Sequence, residues 1–161
     1  MLQDIEPHAA PVLRDSLQFR QTLEGILHRG HRVRFRADGW SMHPAIRSGE
    51  IITVAPLGRA PVHVGDVLLY RNGRGVIAHR LAGVRRSSGR IVELVLRGDA
   101  ADSCDAPIAP EQVLGRVVTV EHPRTGMRRR VLSRRWSCVL RCALRGAHAV
   151  RTTVASLLRP S

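Results

Sequence analysis

The chain contains no lysine. All 26 of its basic side chains are arginines, set against 13 acidic ones, for a formal net charge of +13 over 161 residues. A lysine amine is therefore unavailable as a proton acceptor anywhere in this protein. Aromatic side chains are scarce too: two Trp, two Phe and a single Tyr. That leaves little to stack on nucleic-acid bases. The three cysteines, Cys104, Cys138 and Cys142, form no disulfide framework and no plausible zinc set, and they read as reduced thiols. No window reaches the roughly 18 apolar residues that a membrane span requires. Residues 1–15 carry acids where a signal peptide would carry a basic stretch followed by an apolar one. The expected location is cytoplasmic. The arginine excess favours anionic partners in general, whether nucleic acid, an anionic membrane surface or an acidic peptide.

Periodicity divides the chain into three parts. Residues 1–30 form an N-terminal helical segment, in which 14-RDSLQFRQTLEGILHRG-30 places Leu17, Leu23, Ile26 and Leu27 on an apolar stripe ended by Gly30. The period then shortens. Val33 and Phe35 alternate with Arg32, Arg34 and Arg36, which predicts a strand with one apolar and one basic face. Short β-like runs follow at 51–55, 66–70, 75–84, 90–96 and 113–122, and Asn72-Gly73 marks a hairpin between the second and third. The central part, residues 31–132, is therefore expected to be mainly β, a twisted and partly barrel-like sheet. Residues 133–161 read as a basic amphipathic C-terminal helix that packs on the domain, on a partner or on an anionic membrane surface.

One short stretch, 38-DGWSMHPAIRSGE-50, raises the question of chemistry. Ser41 follows a strand, as a nucleophile often does, but His43 stands where the α/β-hydrolase elbow would need glycine. A serine nucleophile needs a base and donors for the oxyanion that forms. With no lysine, histidine is the available base. Of the eight histidines, His79 lies within the strand-rich centre, on the second strand of the hairpin, sharing a face with Ile77 and Leu81. A histidine base is oriented by an acceptor on its other ring nitrogen. Asp99 and Asp102 are the candidates for that place, with Asp105 third, all in 97-RGDAADSCD-105.

Taken in order, these pieces resemble the signal peptidase I and SOS-repressor superfamily of serine peptidases. Residues 39-GWSMHPAIRSGE-50 are similar to its nucleophile box, 64-VGDVLLY-70 to its second strand box and 78-AHRL-81 to its base box. Residues 97-RGDAADSCD-105 and 114-LGRVVTV-120 are similar to the Gly-Asp segment and the closing strand. Common bacterial signal peptidases and the self-cleaving repressors carry a lysine at the base box, whereas the archaeal and endoplasmic-reticulum branch carries histidine.

The resemblance implies a signal-peptidase-like fold over residues 31–132 and a serine endopeptidase that cleaves an extended, leader- or signal-like peptide. Ser41 would be its nucleophile, His79 its general base, and Asp99 or Asp102 the orienting acid. Gly39 and Trp40 would flank the substrate, Met42 would line the substrate cleft or pack beneath the nucleophile, and neither metal nor cofactor is implied. Two other readings remain open: a peptide-binding module on the same fold without activity, and a basic protein that binds polyanions or a membrane surface.

Overall fold

The structure, a computed structural model, describes residues 17–73 and 75–131. The first residues of the expected N-terminal helix, the whole expected C-terminal helix, and Cys138 and Cys142 lie outside the described residues.

Helix α1 (Leu17–His28) buries Leu23 and Leu27 on the predicted stripe. It ends as Gly30 predicts. Gly30 adopts a φ of 85°, and the amides of Gly30 and His31 turn back to the carbonyls of Leu27 and Ile26. Among the described residues seven strands follow: β1 (Val33–Arg36), β2 (Ile51–Ala55), β3 (Val67–Asn72), β4 (Gly75–Ser87), β5 (Arg90–Arg97), β6 (Val113–Glu121) and β7 (Arg128–Arg130). They form one antiparallel sheet in the order β1-β2-β6-β3-β4-β5, with β7 paired to β6. The fold is mainly β, as expected.

The sheet is not closed, which corrects the barrel-like part of the expectation. Its end strands β1 and β5 do not pair among the described residues. The outer edge of β5 is taken instead by the returning chain, where Leu94 and Ile108 exchange both backbone hydrogen bonds. Strand β7 has no apolar residue to mark it. It exists because 119–121 offers a free ladder edge to 128–130 across a short turn.

Both faces of the sheet are covered. On one side Val67 and Leu69 of β3 pack with Leu23 and Leu27 of α1, Ile52, Val54, Val117 and Val120. On the other, Leu68 and Tyr70 pack with Leu81, Leu94, Leu96 and Ile108. The four-residue run Val67–Tyr70 is therefore buried throughout, and each such apolar side chain contributes about 1.5–3 kcal/mol. No helix among the described residues is long and apolar enough to cross a membrane.

Residues 37–50 form the connection from β1 to β2, and Glu50 anchors it. Its carboxylate is almost fully buried and receives two Arg129 nitrogens at 2.8 and 2.7 Å and the Arg47 amide at 2.8 Å. The backbone closes above it through Ala37 N–H to the Glu50 carbonyl and Gly49 N–H to the Ala37 carbonyl, each 2.7 Å. The Arg129 guanidinium holds the Glu50 carboxyl below the usual carboxylate range, against the opposing effect of burial. A carboxyl shifted downward in the folded state stabilises the fold above its ordinary value, and that contribution is lost as pH falls through the depressed one. Glu50→Gln should therefore cost about 1–3 kcal/mol near pH 7. In urea unfolding the gap to wild type should narrow by about pH 3. A pH-independent gap would contradict this role for Glu50.

Candidate active site

The β1–β2 connection presents Ser41 at the surface while Met42 and Ile46 beside it are buried in the core under α1. The loop is thus fixed from below by apolar side chains, and Ser41 stays exposed. Gly39 takes a φ of 91°, a conformation that favours glycine, although a Cβ there would meet nothing within 4 Å. The His43–Pro44 peptide is cis. The Ser41 carbonyl is held by the Ala100 amide at 2.9 Å, whereas the Ser41 N–H donates to no described residue.

His79 arrives from the sheet. It sits opposite Leu68 in the β3–β4 ladder and shares a strand face with Ile77 and Leu81, as the alternation predicts. Only 8% of its surface is exposed. Its Nε2 lies 2.9 Å from Ser41 Oγ. Its Nδ1 lies 2.6 Å from Asp105 Oδ2. An ionised carboxylate only accepts, so Nδ1 carries the proton, and the Nε2 lone pair faces the serine hydroxyl. A hydroxyl, an imidazole and a carboxylate are thereby joined in line from three separate segments.

The aspartate at His79 is Asp105, and neither Asp99 nor Asp102 is in its place. Asp99 is committed to Arg80, whose Nε and NH2 donate to its two carboxylate oxygens at 2.7 and 2.6 Å. Both side chains are nearly inaccessible. A guanidinium buried without a carboxylate would be strongly destabilising, and Asp99 supplies one. Asp102 lies exposed in the turn and makes no hydrogen bond or ion pair with a described residue. Asp105 reaches His79 because the chain doubles back along β5, with Asp105 N–H bonded to the Leu96 carbonyl at 2.9 Å. Next to it, Cys104 is disulfide-bonded, not the reduced thiol expected from the sequence.

Two further residues have no place in the site as read from the sequence, where Gly98 is only a turn. Gly98 ends β5 against the site so closely that a Cβ would stand 2.6 Å from the Ser41 carbonyl oxygen and 3.2 Å from His79 Nε2. Only glycine leaves Ser41 and His79 in hydrogen-bonding position. Tyr70, the chain's one tyrosine, donates its hydroxyl to Asp105 Oδ2 at 3.0 Å. The hairpin register places it diagonally across from His79, a signal that was present in Asn72-Gly73.

Of the residues expected to line a substrate path, Met42 belongs to the core and not to the surface. Trp40 is 71% exposed, its ring tilted over that of His43 at 6.2 Å. A cleft between α1 and residues 56–58, lined by Glu24, Leu27, Arg71 and Leu114, does not include Ser41 or His79. Among the described residues no group of three or more His, Cys, Asp or Glu side chains is placed to hold a metal ion. No protein-family model and no curated protein matches the chain.

The distinct places of the three aspartates separate their effects on stability. Asp99→Asn removes the charge that accepts two hydrogen bonds from a buried guanidinium and should cost about 3–5 kcal/mol. Asp102→Asn should stay within about 0.5 kcal/mol of wild type. Urea unfolding measures both, and a stable Asp99→Asn protein would contradict the assignment of Asp99 to Arg80.

Proposed function

We propose that the protein is a serine endopeptidase of the signal-peptidase and SOS-repressor type, with histidine as its base. The observation that carries this reading is the contiguous Ser41–His79–Asp105 relay, with steps of 2.9 and 2.6 Å, ending at an exposed serine. The ordered sequence boxes support the fold type, and the open antiparallel sheet with an N-terminal helix is compatible with it. The polyanion-binding reading gives no reason for a serine, a histidine and an aspartate to align.

In the proposed reaction Ser41 Oγ attacks the carbonyl carbon of the scissile peptide as its proton passes to His79 Nε2. Asp105 holds the ring in the required tautomer and stabilises the imidazolium that forms. The developing oxyanion takes the Ser41 N–H, the donor left without a described partner. His79 then returns the proton to the leaving amine nitrogen, the C–N bond breaks, and the acyl group remains as an ester on Ser41. Water, deprotonated by His79, attacks that ester, releases the acid and restores the hydroxyl. The substrate is an extended, leader-like peptide that adds as a strand beside the site, with small side chains near the cut. Trp40 forms a lip of that path, and Gly39 leaves room for the two backbones to approach.

The test is cleavage of an extended-peptide library by the purified chain, read by mass spectrometry. Ser41→Ala and His79→Ala should each lose about 10⁴-fold or more in rate. Asp105→Asn should lose on the order of 10³–10⁴-fold, and Asp102→Asn almost nothing. Cleavage by wild type and Ser41→Ala at equal rates would overturn the proposal. Strand-like binding of peptides with no cleavage by wild type would favour a binding module on the same fold.

A further inference from the structure

Tyr70 lies in the apolar layer formed by Leu68, Leu81, Leu94, Leu96 and Ile108 and is 4% exposed. Packing alone would be served equally by phenylalanine, since the ring fills the space and a buried hydroxyl costs free energy unless it is bonded. The hydroxyl is bonded, to the oxygen that also serves His79: Asp105 Oδ2 accepts Tyr70 O–H at 3.0 Å and His79 N–H at 2.6 Å. Tyr70 Oη stands 3.5 Å from His79 Nδ1, beyond ordinary hydrogen-bond length, so its partner is the carboxylate. The two rings are tilted by 58° with centroids 6.2 Å apart. Burial, followed by the neighbouring Asp105 charge, pushes the Tyr70 phenol well above its ordinary value. It therefore remains a neutral donor throughout the range in which histidine titrates.

We propose that Tyr70 is a positioning residue that pins the Asp105 carboxylate and tempers its pull on the His79 imidazole. The inference rests on the relay assigned above. A carboxylate that accepts a second hydrogen bond is a weaker base, because part of its charge is already satisfied. It still fixes the imidazole tautomer, but it stabilises the imidazolium less. The ring is then released as a neutral acceptor for the Ser41 proton at a lower pH than an Asp–His pair alone would allow. The charged residues nearest in sequence and register lie on the neighbouring positions. Arg80 is paired with Asp99, and Arg97 stands across from Arg80 in the β4–β5 ladder. Ser41 is neutral.

The experiment is an NMR titration of the histidine rings in the full chain, with the His79 signal identified by its loss in His79→Ala. Three proteins are compared: wild type, Tyr70→Phe, and protein in which tyrosine is replaced biosynthetically by 3,5-difluorotyrosine. With one tyrosine in the sequence, that label alters this site alone. The midpoint of the His79 titration should move to higher pH in Tyr70→Phe, where the donor is gone. It should move to lower pH with difluorotyrosine, whose more acidic phenol is the stronger donor. Labelling by a fluorophosphonate probe at about pH 6, relative to about pH 8, should fall several-fold in Tyr70→Phe. Unmoved midpoints, or two midpoints that move in the same direction, would overturn the proposal, because a loosened core has no reason to give opposite signs. Opposite shifts without any probe reaction at Ser41 would support the role of Tyr70 and overturn the peptidase reading instead.

Discussion

Two adjacent residues of β4 determine the arrangement of this protein. His79 and Arg80 project from opposite faces of the strand, and both are buried. Each needs a partner, since a buried guanidinium is costly without an anion and a buried ring N–H is costly without an acceptor. One loop between β5 and β6 supplies both partners, Asp99 to Arg80 and Asp105 to His79. The Arg80–Asp99 pair anchors the start of that loop where β5 ends. The Leu94–Ile108 bridge anchors its far part. Gly98, just before the first of these points, rests against Ser41, and the Ala100 amide between them holds the serine carbonyl. In the proposed reading the ion pair is structural and the neighbouring Asp–His pair chemical, although the four residues come from only two segments.

The β1–β2 connection is built to complement that frame. Met42 and Ile46 enter the core, Glu50 is held by Arg129, and Ser41 is left outside with its hydroxyl on the imidazole. Rigidity comes from apolar burial and from one buried carboxylate. Accessibility comes from Ser41 lying between exposed Trp40 and buried Met42. A site built this way needs no rearrangement to bring hydroxyl and imidazole together, which is the condition for a relay to work on arrival of substrate.

Much of this was legible in the residues. The alternation along 75–84 set His79 on the face of Ile77 and Leu81, and the turn at Gly30 and the hairpin at Asn72-Gly73 formed as their glycines dictate. What failed was the choice among Asp99, Asp102 and Asp105, because it depends on how a loop doubles back, which local pattern does not encode. A physical argument was nevertheless available. An arginine beside His79 in an apolar strand demands a carboxylate of its own, so one aspartate of the loop had to be withdrawn from the histidine. The barrel-like expectation failed for a similar reason, because nothing in a strand's own sequence says that a returning loop will take its edge. Met42 was open between core and cleft, and its burial decides for the core.

The central claim is that His79 and Asp105 make Ser41 a nucleophile, and the most direct measurement is intact mass after incubation with a fluorophosphonate. The account predicts one adduct, located by peptide mapping on Ser41, that does not form on His79→Ala. Other serine hydroxyls of the chain should stay unmodified. An unmodified wild-type protein, or an adduct of equal yield when His79 is removed, would contradict it.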